Sequence, residues 1–208
     1  ACVSFVAAFS GREGVHARQW SSPTGKGGYS PVHAPFTPAV ARQHLLGDVT
    51  AGVYPIRHDG TVRWLVLDVD IRASELQRTR GTAALTRLLR LAHAAACALL
   101  DTCARHQLSA LLEDSGNKGR HLWLLFEEPV PAAAAKRLGE GLLAATEGIA
   151  PEINVEVFPK QARLPSDGLG NLVKLPLGVH RVTGRRCALL DAGGAPLARP
   201  LAALSAHP

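Results

Sequence analysis

From Val62 to Asp70 the chain alternates with the two-residue rhythm of a β-strand. Side chains two apart share a face of a strand, so Leu65, Leu67 and Val69 point one way, into a core. Val66, Asp68 and Asp70 point the other way. His58-Asp59-Gly60 is a hairpin turn leading into this strand, and residues 51–56 read as the strand before it. Val15 and Ala17 alternate with His16 and Arg18 in a further strand. Residues 1–9 are apolar and fit a helix or a strand equally well. Residues 21–38 are rich in Gly, Pro and Ser and read as loop. Thr37 then caps a short helix to Leu46, with Pro38 in its first turn.

After the central strand the period changes. Ser74 opens a long helical pattern, and Leu85, Leu88, Leu89, Ala92, Ala96, Leu99 and Cys103 keep one stripe until about His106. Residues 108–114 are a strand, 115–119 a tight loop and 120–127 the returning strand. Pro131 starts a second helix, to about Ala145. Residues 154–158 form a strand with Val155 and Val157 inward and Glu156 on the other face. A glycine-rich turn at 166–171, strands at 172–175 and 187–191, and a tail rich in Pro, Ala and Gly complete the chain. Hairpins mixed with crossovers predict an α+β fold. Its sheet is mixed but largely antiparallel, with helices on one face and an open face carrying Asp68, Asp70 and Glu156.

Composition narrows the partners. Hydrophobic residues make up 47% of the 208, enough for a real core, and no repeat or linker divides the chain. The net charge of +6 favours polyanions such as nucleic acid or nucleoside phosphates. The four cysteines contain no C-x2-C pair, so no zinc is expected and a reducing cytoplasmic setting is the default. The apolar start is too short to span a membrane, so no membrane partner is expected. The chain lacks methionine even at its first position, so a piece of a longer polypeptide or a trimmed chain is expected.

Three segments carry candidate chemistry. Asp68 and Asp70 are like charges on one face of a rigid strand, an arrangement that a hard divalent cation such as Mg²⁺ or Mn²⁺ relieves. The bland alternative is a strand end running into solvent. In Ser115-Gly116-Asn117-Lys118-Gly119-Arg120-His121 the glycines would let backbone N–H groups turn toward an anion, and Lys118, Arg120, Ser115 and His121 add donors. Read alone, it is a hairpin turn with basic tips. Glu156 is a third carboxylate, and the run from Gly168 to Arg181 adds Lys174, His180 and Arg181.

In this order, the apolar-Asp-x-Asp strand, the S-G-x-K-G-x-H loop and the later acidic strand resemble the three motifs of the archaeo-eukaryotic primase superfamily. F-S-G-R-E-G-V-H-A-R-Q-W, G-K-G-G-Y-S-P, G-V-Y-P-I and G-L-G-N-L-V-K-L-P-L-G-V-H-R-V-T-G-R-R are similar to its branch in CRISPR-associated primase-polymerases and TOTE conflict systems. The resemblance implies a primase-polymerase core on an RRM-like sheet. Residues 1–60 would be a nucleotide- and template-binding part, 61–191 the catalytic part and 192–208 a tail. It implies a DNA primase-polymerase: nucleotidyl transfer from dNTPs or NTPs to a 3′-hydroxyl on a nucleic-acid template, with de novo primer synthesis as a further expected capacity, two Mg²⁺ or Mn²⁺ ions on Asp68, Asp70 and Glu156, and His121 also catalytic. Ser115, Gly116, Lys118, Gly119, His121, Lys174, His180 and Arg181 would hold the nucleotide. Arg12, Arg18, Lys26, Tyr29, Arg120 and Lys160 would contact template or nucleotide. A fused helicase or a CRISPR adaptation protein is the implied partner. Two departures stand out: the stretch after G-Y-S-P has no cysteine, and the third acid is Glu156 where relatives often carry Asp. A different two-metal enzyme, such as a nuclease or a D-x-D glycosyltransferase, and a non-catalytic nucleic-acid-binding module remain alternatives.

Overall fold

A computed structural model describes residues 1–164 and 168–206. The first two residues of the glycine-rich turn expected at 166–171, and the last two of the tail, lie outside the described residues. The central strand is β4 (Thr61–Ile71). It is followed by α3 (Ala73–Arg78), α4 (Thr82–Arg105), β5 (Leu111–Asp114), β6 (Gly119–Pro131), α5 (Ala132–Ala144) and β7 (Ile153–Phe158). The short β9 (Leu189–Leu190) completes a five-stranded sheet of order β7-β4-β6-β5-β9, antiparallel at every described pairing. Two strand–helix–strand crossovers joined by the β5–β6 hairpin give the split βαβ arrangement.

The alternation of β4 decides what covers each face. Leu65, Leu67, Val69 and Ile71 pack with Leu122, Leu124 and Leu112 under α4 and α5, where Leu88, Ala92, Ala96, Leu99 and Cys103 form the buried stripe. By length and composition α4 could cross a membrane, but that stripe is occupied by the sheet. The other face is covered at one end only. There Trp64, Val66 and Trp123 join Phe5 and Phe9 of α1 (Cys2–Phe9) and Leu204 of α6 (Pro200–Ala206). Trp123 meets Phe9 and Trp64 edge-on, with centroids 5.0 and 5.2 Å away.

A second antiparallel sheet, of order β2-β1-β3-β8, lies on this side. Its strands are β1 (His16–Ser21), β2 (Gly27–Val32), β3 (Ala51–Val53) and β8 (Val173–Lys174). The helix α2 (Pro38–Leu46) starts at Thr37, whose hydroxyl accepts from Val40 N–H. Arg186 donates to the carbonyls of Leu45 and Leu177 at the other end of α2, a cation at a helix C-terminus.

Three expectations change. Residues 21–38 contain β2, which tolerates Pro31 because it is an edge strand. The helical run from Ser74 is two helices: at Thr79 the backbone turns extended (φ −68°, ψ 130°), and α4 begins after Gly81. The tail forms α6, with Pro200 fitting its first turn.

Candidate active site

Directly opposed residues of antiparallel strands share a face, so the register writes the site as rows across the sheet. Phe158, Val66, Trp123 and Leu111 form one row, under α1. The next row is Glu156, Asp68, His121 and Glu113, one residue from each of four strands. The third is Asn154, Asp70 and Gly119. Apolar cover thus gives way to charge and then to open sheet.

Gly119 is required by that third row. A β-carbon there would lie 2.2 Å from Asp70 Oδ1 and 2.3 Å from the Val69 carbonyl. Gly116, at φ +77°, would meet Cys187 Sγ at 2.8 Å. The loop between them uses its own side chains. Gly116 N–H donates to Asp114 Oδ1, and the N–H groups of Asn117 and Gly119 donate to Ser115 Oγ at 3.4 and 3.3 Å. These N–H groups are therefore engaged inside the loop rather than turned toward an anion.

The charged row ends in a network the sequence reading did not name. Glu113 is fully buried and accepts from His121 Nδ1 at 2.7 Å, Trp123 Nε1 at 2.6 Å and Lys174 Nζ at 2.9 Å. Burial pushes its carboxyl up, but Lys174 and His121 outweigh this and hold it at about 2. Burial disfavours the charged forms of His121 and Lys174 too, and in both Glu113 prevails, raising them. The other ring nitrogen of His121, Nε2, lies 3.5 Å from Asp68 Oδ1. Asp68 is pushed up to about 6, first by burial; His121 opposes this, and Asp70 and Glu156 add to it.

A cleft of about 220 Å³ opens over Asp68 and His121 of this row, lined also by Asp70, Ser115, Lys118, Lys174 and His180, and Glu156 is not part of its lining. The small sheet supplies part of the wall: Tyr29 from β2, with its phenol pushed up by burial, and Lys174 from β8. Lys118 bonds Asp70 Oδ2 at 2.9 Å, and Lys160 bonds Glu156 Oε1 at 2.8 Å while lying 4.9 Å over the Phe158 ring. Two of the three acids thus already hold an ammonium group. Among the described residues no three His, Cys, Asp or Glu side chains are gathered closely enough to hold a metal ion. The donor set itself, three carboxylates on adjacent strands, suits a hard cation.

Other expected residues lie away from the cleft. Arg120 projects to the helix side, where it contacts His93 of α4 and Asp114. Arg181 donates to the Gly47 carbonyl beyond α2. Arg12 lines a separate cleft of about 500 Å³ with Arg57 and Arg163. Arg18 is exposed on β1, and Lys26 closes the exposed β1–β2 turn by bonds to Ser22.

The family described as the archaeo-eukaryotic primase domain of TOTE conflict systems matches residues 2–207. The chain belongs to this family. Of the two settings in which the branch suggested by its motifs occurs, the match is to the TOTE one. No curated protein matches this primase domain. Among solved structures, it is similar to the polymerase domain of Mycobacterium tuberculosis ligase D in complex with DNA. That likeness has 16% identity and a TM-score of 0.55, covering 92% of this chain and 79% of the other. At that identity the likeness establishes a shared primase-polymerase fold.

Proposed function

We propose that this primase domain catalyses nucleotidyl transfer, joining a dNTP or NTP to the 3′-hydroxyl of a strand paired with a nucleic-acid template. The observation that carries the reading is the pair Asp68 and His121, in the row Glu156–Asp68–His121–Glu113, lining with Asp70 a cleft rimmed by Lys118, Lys174 and His180. Asp68, Asp70 and Glu156 would hold Mg²⁺ or Mn²⁺, which when bound activates the hydroxyl and offsets charge on the departing pyrophosphate. Lys174, fixed by Glu113, would hold the triphosphate by charge, and His121 would offer Nε2 to the reacting groups. Lys118 and Lys160 would release Asp70 and Glu156 as cations bind and turn to phosphate. The net charge of +6 and a neighbour solved in complex with DNA support a nucleic-acid substrate.

The same two lysine–carboxylate pairs favour a second reading, a domain that binds nucleic acid without catalysis. Primed and unprimed synthesis with Mg²⁺ or Mn²⁺ separates the two. Product that disappears in Asp68→Ala and in Asp70→Ala supports transfer. DNA binding without product, from folded protein, overturns it in favour of the binding module, and degraded primer points to a nuclease.

A further inference from the structure

Gln19 of β1 and His180 both lie buried, 161 positions apart, with their Nε2 atoms 3.4 Å from each other. The Gln19 amide is fixed from its other side: its Oε1 accepts the Arg181 backbone N–H at 2.9 Å. A carboxamide has one acceptor atom, so Gln19 Nε2 can only donate toward His180. That requires a bare lone pair on His180 Nε2. Burial, then the charges of Lys174 and His121, hold His180 below its ordinary value, so the ring is neutral. A neutral imidazole with a bare Nε2 carries its proton on Nδ1.

His180 Nδ1 is the one buried side-chain nitrogen or oxygen among the described residues that lacks a hydrogen-bond partner. His44 makes the contrast: its Nε2 meets the Pro176 carbonyl and its Nδ1 accepts from Ala51 N–H, as in an ordinary core histidine. An orphaned buried donor costs ~1–3 kcal/mol, which an incoming acceptor recovers. The His180 ring forms part of the cleft wall beside Lys174 and Ser115.

We propose that Gln19 is a positioning residue that locks His180 in its Nδ1–H tautomer, so that His180 offers an uncharged donor to a phosphate oxygen in the cleft. The ligand class rests on the triphosphate reading above; the lock does not. Nitrogen-15 NMR of the ligand-free protein tests the lock. The expected spectrum has Nδ1 protonated and Nε2 bare, and Gln19→Leu restores protonation at Nε2. A wild-type ring protonated at Nε2 overturns the proposal. Calorimetry with a non-hydrolysable deoxynucleoside triphosphate and Mg²⁺ tests the donor. His180→Ala should weaken binding about tenfold, the size of one hydrogen bond. His180→Asn, with an amide N–H near the Nδ1 position, should recover most of that loss, and His180→Gln should not. Equal binding by the Ala, Asn and Gln variants and wild type overturns the donor role. A wild type with the expected tautomer that binds no nucleotide overturns the triphosphate reading and leaves the lock standing.

Discussion

Glu113→Gln removes one charge from the interior and keeps the side chain's volume. In the native protein both carboxylate oxygens together accept three donors, from His121, Trp123 and Lys174. An amide offers one acceptor oxygen to those donors, and its NH₂ must face another N–H. Breaking a buried ion pair from one side costs ~3–5 kcal/mol, and each orphaned donor ~1–3 kcal/mol. These overlap, because the groups share one network. A loss of about 3 kcal/mol is expected, against a total near 5–15 kcal/mol for a domain. At this length that lowers the melting temperature by about 6–12 °C. Lys174→Met should cost less, about 1–2 kcal/mol, because Glu113 keeps His121 and Trp123. The assay is guanidinium unfolding followed by tryptophan fluorescence at several pH values. Glu113 sits at about 2 in the fold against an ordinary 4.5. A carboxyl depressed in the fold contributes its full stability above 4.5, and this is lost as pH falls through about 2. The gap between wild type and Glu113→Gln should therefore close across that window. A variant within ~0.5 kcal/mol of wild type at pH 7 would show that the network is not what holds this end of the sheet.

Two other outcomes follow from the row itself. Protons and cations compete for Asp68, which sits at about 6, so Mn²⁺ affinity measured by paramagnetic relaxation should fall as pH drops below about 6. Affinity unchanged between pH 5 and 7.5 would contradict the buried environment of that carboxyl. Gly119→Ala forces a β-carbon against the Val69 carbonyl and Asp70, which should cost ~1–3 kcal/mol and reduce any extension activity by more than about tenfold. Wild-type stability in that variant would mean that β6 can move off β4 freely.

Much of this site is legible in local periodicity. Alternation alone sets Asp68, Asp70 and Glu156 against a helix-covered face, and the α4 stripe follows a single helical period. The same alternation, carried back from His121, sends Arg120 to the helix side, so counting it with the loop cations ignored the strand it belongs to. Glu113 was also within reach. A hairpin closed at 115–119 pairs residue 113 with residue 121, and that pairing is observed. Lys174 and Tyr29 were not legible as one group with the row, because they reach its cleft only where a second sheet docks on the first. Part of that sheet was hidden by the Gly-Gly-Tyr-Ser-Pro composition of an edge strand.

The transverse row also acts as an index mark for strand pairing. Slipping β6 by one position along β4 would bring His121 opposite Leu67 or Val69 and turn its imidazole toward α4. Asp68 would lose His121, its cross-strand neighbour on β6. A one-residue slip therefore drives the imidazole toward hydrocarbon, and a residue proposed for chemistry is also one that disfavours that wrong alignment.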